Sequence, residues 1–120
     1  MKVLSLIEKA DALFPNVYPF PQKADWLFSF DKRLYEELLS RYENPPAFSS
    51  DEGSSPEREL LLGEAEGELY VNYLMMLMEL YSGNIPGYQN AAAIFNSGYL
   101  SFMNHFNRTH LIKSVHINVK

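Results

Sequence analysis

Residues 66–82, EGELYVNYLMMLMELYS, constrain the fold more than any other stretch of this chain. Within residues 69–81 only Asn72 and Glu79 are polar. They are seven apart, so on a helix they share one narrow stripe and the rest of the circumference is apolar. Such a helix must be covered on nearly every side, by other helices of its own chain or in part by another chain. Met75, Met76 and Met78 lie in it, and Met103 follows further on. Methionine fills irregular gaps in cores and at adaptable interfaces alike. Tyr70 and Tyr81 are the expected half-exposed members, since a phenol tolerates water at its tip. Tyr70, Tyr73, Met76 and Tyr81 are therefore the candidate interface residues of this helix.

The remaining periodicity supplies the cover. Val3, Leu4, Leu6, Ile7, Ala10 and Leu13 recur at helical spacing over residues 2–13, and Pro15 ends that helix. NVYPFPQ then reads as extended. A second helix is predicted over residues 24–42, with Leu27, Phe30, Leu34, Leu38 and Tyr42 on one face and charged or small polar residues opposite. ENPPAFSSDEGSSPE marks a flexible loop over residues 43–58. Residues 60–62 read as a short extended piece, and Gly63 and Gly67 argue against helix before about residue 67. GNIPGY, residues 83–88, is a turn, with Gly83 placed just past a helix end and Pro86 and Gly87 opposing continuation. A fourth helix follows over residues 88–107. Tyr88, Ala91, Ala92, Phe95, Tyr99, Phe102, Met103 and Phe106 form its apolar stripe, so the last two helices make a hairpin. In the tail, residues 111–120, Val115, Ile117 and Val119 alternate with Ser114, His116 and Asn118, which is strand periodicity. That strand pairs with residues 60–62 or adds to a partner's sheet; its three apolar residues complete the candidate interface. The fold expected is mainly α: a single-domain bundle of about four helices with one long loop and a short β element in the tail.

At 120 residues this is one domain, able to bury roughly two thirds of its unfolded surface. With no cysteine, thiol catalysis, disulfides and cysteine-ligated zinc are excluded. The net charge of −5, with scattered Lys and Arg, does not suit tight nucleic-acid binding. MKVLSLIEKADALF carries charges that interrupt any signal-peptide core, and no apolar run approaches the roughly 18 residues of a membrane span. His105 and His110 are five apart, which does not place two ligands on one helix face. Arg108 and His110 suit the negative end of a helix dipole better. Asn107-Arg108-Thr109 matches a glycosylation sequon, a pattern frequent by chance. The glycines of GEAEGE are flanked by Glu64, Glu66 and Glu68, which would repel phosphate. The pairs Glu36-Glu37 and Asp51-Glu52 sit on a solvated face and in the loop, without the apolar pocket that tunes a catalytic carboxylate. No catalytic residue, metal or cofactor is expected, and no small-molecule substrate.

Residues 26–39, WLFSFDKRLYEELL, and 68–110 resemble small proteins from the head-morphogenesis modules of tailed phages and prophages of Gram-positive bacteria: the head–tail connector, or adaptor, proteins. The similar pattern is a Leu-Tyr helix (Leu69, Tyr70), a turn glycine (Gly83), and Tyr88 and Asn90 opening the next helix. Phe95, Asn96, Tyr99, Phe102 and residues 107–110 follow. The likeness covers roughly residues 24–110 and is most specific in the last helix. It departs after the turn glycine, where an acidic residue is common and this chain has Asn84. It implies a helical, non-catalytic subunit of the virion neck, assembled in the host cytoplasm, that forms a ring with its copies and docks on the portal or neighbouring neck proteins. A negative surface would let packaged DNA pass such a ring. The competing readings are a cytosolic helical interaction or regulatory module, and a small metal enzyme using His105, His110 and His116.

Overall fold

The computed structural model describes residues 1–38 and 55–109. Four α-helices run through them: α1 (Val3–Leu13), α2 (Phe20–Glu37), α3 (Gly67–Tyr81) and α4 (Ile85–Thr109), with a 3₁₀ turn at Glu64–Glu66 leading into α3. The protein is thus mainly helical, a small bundle as its periodicity predicts. Among the described residues there is no strand, only an isolated antiparallel bridge between Lys2 and Glu59. The expected tail strand, with Val115, Ile117 and Val119, lies outside the described residues, as do residues 39–42 of the predicted second helix.

The core forms where α1, α2 and α3 meet. Val3, Leu6, Ile7 and Ala10 face Ala24, Leu27, Phe30 and Leu34 of α2, and Leu69, Val71, Leu74 and Met78 of α3, all buried. α4 runs antiparallel beside α3 and, among the described residues, comes close to no other helix by its backbone. It reaches α2 through rings: Phe95 and Tyr99 each pack against Phe30, at centroid distances of 5.7 and 5.8 Å. At 25 residues, α4 is about 37 Å long. It overshoots the 15-residue α3 and helps draw the molecule out to 55 × 32 × 21 Å.

Two helix starts differ from expectation for one reason. α2 begins at Phe20, with Pro19 as its cap and Pro21 in its first turn. α4 begins at Ile85, with Pro86 and Gly87 in its first turn. The first amides of a helix have no intrahelical acceptor, so a proline there forfeits nothing. At α4 the side chain of Asn84 supplies the cap, its Oδ1 accepting from the Gly87 amide at 3.1 Å. Gly83 sits at φ +82°, the left-handed conformation expected of a glycine past a helix end.

Residues 60–62 are not a strand edge. The Leu60 amide donates to the Met1 carbonyl, the Leu61 amide to Asp31 and the Leu62 amide to the Tyr70 hydroxyl. Residues 55–58, read as the end of the loop, are tied to the N-terminus, with Val3 and Leu4 amides donating to Arg58 and Pro56 carbonyls.

Gly83→Ala should lower unfolding free energy by about 1 kcal/mol, because a Cβ is strained at positive φ. Gly63→Ala, at φ −87° with nothing within 4 Å of the new methyl, should cost nothing. Paired urea titrations read the difference.

Candidate functional site

The most concentrated polar chemistry in the molecule is buried. Asp31 falls on the apolar face of α2, four residues after Leu27 and three before Leu34. It has no exposed surface. Tyr70 of α3 donates to its Oδ1 at 2.6 Å, Arg58 Nη1 donates to its Oδ2 at 2.9 Å, and the Leu61 amide adds a third bond at 3.2 Å. The Tyr70 hydroxyl in turn accepts from the Leu62 amide at 3.0 Å. Burial pushes the Asp31 carboxyl above the ordinary carboxylate range, and the Tyr70, Arg58 and Leu61 donors pull it back. Burial, with the negative charge of Asp31 beside it, pushes the Tyr70 phenol up as well, so it stays a donor. This arrangement latches residues 58–62 onto α2 and α3. Its carboxylate is sealed from solvent, and each of its oxygens accepts at least one hydrogen bond.

Tyr70 is therefore a correction to the candidate interface. It is fully buried rather than half-exposed, because its hydroxyl finds two partners inside the core. Tyr73 is half-buried against Phe30 and Phe95, its centroid 4.9 Å from that of Phe30. Met76 is also half-buried. Tyr81 is 62% exposed and stacks on Trp26 at 5.5 Å, nearly parallel.

A second charge pair fixes the α1–α2 corner. Lys23, almost fully buried, donates to both Asp11 oxygens at 2.8 and 2.9 Å and to Asn16 Oδ1 at 3.1 Å. The corner is pinned to the end of α3 by the Tyr18 hydroxyl, which donates to the Met78 carbonyl. Val17, 96% exposed, therefore lies at the same end of the molecule as the α3–α4 turn, where Leu80, Tyr81 and Ile85 are also exposed.

At the opposite end of α3 two grooves flank the start of the helix. One, of about 500 Å³, runs against α1, with Val71 and Met75 in its wall and Lys9, Glu64 and Glu68 at its rim. The other, of about 310 Å³, runs against α4, with Leu69 and Phe102 in its wall and Glu66, Glu68 and His105 at its rim. They share Ala65, Glu68 and Asn72, so a single ridge of α3 separates them.

His105 is exposed on α4, while His110 and His116 lie outside the described residues. Among the described residues, no three of His, Asp and Glu gather in a group able to hold a metal ion. No helix among them is long and apolar enough to cross a membrane. The chain matches no protein-family model, no curated protein and no solved structure.

Asp31→Ala should destabilise the fold by about 3–5 kcal/mol, because it leaves the Arg58 cation buried without its carboxylate. The double substitution Asp31→Leu with Arg58→Met should recover most of that loss in the same chemical denaturation experiment. A double variant no more stable than Asp31→Ala would contradict the latch.

Proposed function

We propose that this chain is a virion assembly subunit of a tailed phage or prophage, a head–tail connector that forms a ring with its own copies and docks on the portal. The resemblance of residues 68–110 to connector proteins suggests it. The observation that carries it is the distribution of uncovered apolar surface. Val17, Leu80, Tyr81 and Ile85 stand exposed at one end of α3, while apolar-walled grooves with an acidic rim lie at the other. A ring subunit needs two unlike contact surfaces, since a heterologous interface closes only when each copy offers both halves. Leu80, Tyr81 and Ile85 cap a hairpin whose outer helix is also exposed at Ile94 and Leu100, which suits insertion between neighbours. On this reading the chain turns over no substrate, and its buried charges hold residues 58–62 against α2 and α3 and fix the α1–α2 corner.

Sedimentation of the purified chain, alone over a range of concentrations and with the portal protein encoded by the same genome, tests the proposal. Discrete oligomers or portal binding are expected. Val17→Asp and Ile85→Asp should abolish one or both while shifting unfolding free energy by no more than about 0.5 kcal/mol, as surface substitutions do. Tyr70→Asp should instead prevent folding. A wild-type chain that stays monomeric throughout and ignores the portal would overturn the reading, and is the behaviour of a helical module that captures peptides.

A further inference from the structure

We infer that the pair of grooves at the start of α3 receives residues 110–120 of a second copy of this chain. The inference rests on the assembly reading above and names the contact between neighbours. Three observations converge on it. The first is complementarity. The grooves have apolar walls, including Leu69, Val71, Met75 and Phe102, and their shared ridge and rims carry Glu64, Glu66 and Glu68 against Lys9, an acidic balance. Residues 110–120 contain no acid; Lys113 and Lys120 bracket an apolar run of Val115, Ile117 and Val119. Greasy side chains against the walls and ammonium groups against the carboxylates satisfy both surfaces.

The second is reach. Eleven extended residues span roughly 36 Å, more than twice the roughly 15 Å of chain between residues 65 and 75 that the grooves flank. The third is direction. Gly98 faces Leu69 near the beginning of α3, so the last turns of α4 project past that end of the helix. To enter its own grooves, the chain would have to reverse sharply after Thr109. Residues 108–113 contain no Gly, Pro, Asn, Asp or Ser, the residues that favour tight reversals. Continuing outward to a neighbour needs no such turn. The contact is head-to-tail, because donor segment and acceptor groove are different surfaces, and repetition of it builds a ring or a filament.

The absence of cysteine makes the contact easy to trap. Ser101→Cys puts a thiol beside the α4 groove, where Ser101 is exposed. Val115→Cys puts one in the donor segment. Mixed in equal amounts and oxidised, the two full-length variants should give a covalent heterodimer well above either homodimer. Lys113→Glu in the Val115→Cys chain should cut its yield about five-fold, the scale of one rim ion pair, and Glu66→Lys in the groove chain should restore it. No heterodimer would overturn the inference. So would a Ser101→Cys, Val115→Cys double variant that links only within single chains at every concentration. Sedimentation of the unmodified protein separates the two failures: oligomers without the crosslink defeat this contact alone, and no assembly at all defeats the connector reading with it.

Discussion

The Asp31 carboxylate holds the architecture together. It draws donors from positions 27, 30 and 39 residues away, and so joins α2, the segment before α3 and α3 itself at one buried point. Burying a carboxylate is unfavourable unless nearly all its acceptor capacity is used, and here a guanidinium, a phenol and an amide use it. Without that point, residues 55–62 would lose their buried polar anchor and keep Leu60 and Leu62, the backbone bonds to the N-terminus and the exposed pairs of Met1 with Glu59 and Lys2 with Glu57. With it, Arg58 can be nearly buried and the start of α1 gains a partner along residues 56–60. The aromatic hub at Phe30 follows, since it is the residue before Asp31 on α2 and meets Tyr70, Tyr73, Phe95 and Tyr99.

Much of this was legible in the sequence, where regular spacing encodes it. The apolar stripes of α1, α2 and α4, the near-continuous α3 and the left-handed Gly83 all follow from local pattern. What local pattern could not give was the choice of partners far along the chain. Asp31 did carry a signal: its phase places it among Leu27, Phe30 and Leu34, where a lone carboxylate must have a buried cation or donor. Lys23 carried a fainter one, flanking Ala24 and Leu27. Tyr70 was misplaced for the same reason, because the acceptor that makes its burial favourable lies on another helix. Pro21, in a stretch whose pattern is extended, and Pro86, in one whose pattern is a turn, both sit in the first turn of a helix, where a proline fits.

The two ends of α3 then divide the surface. One end offers exposed apolar side chains on a rigid turn, fixed by the Tyr18 bond to Met78 and the Asn84 cap. The other offers grooves with apolar walls and with Glu64, Glu66, Glu68 and Lys9 along their rims. The two ends therefore present unlike surfaces, while the buried charge pairs are engaged inside; the proposed connector role would use one end against each neighbour. The connector reading gives that arrangement a setting.

The most direct measurement is cryo-electron microscopy of the particles released by a strain that carries this coding sequence, with the proteins of the purified particle identified by mass. The account predicts a ring of these helical subunits between portal and tail, each with the α3–α4 turn seated on a neighbouring protein. Particles with a complete neck that lacks this chain would contradict it.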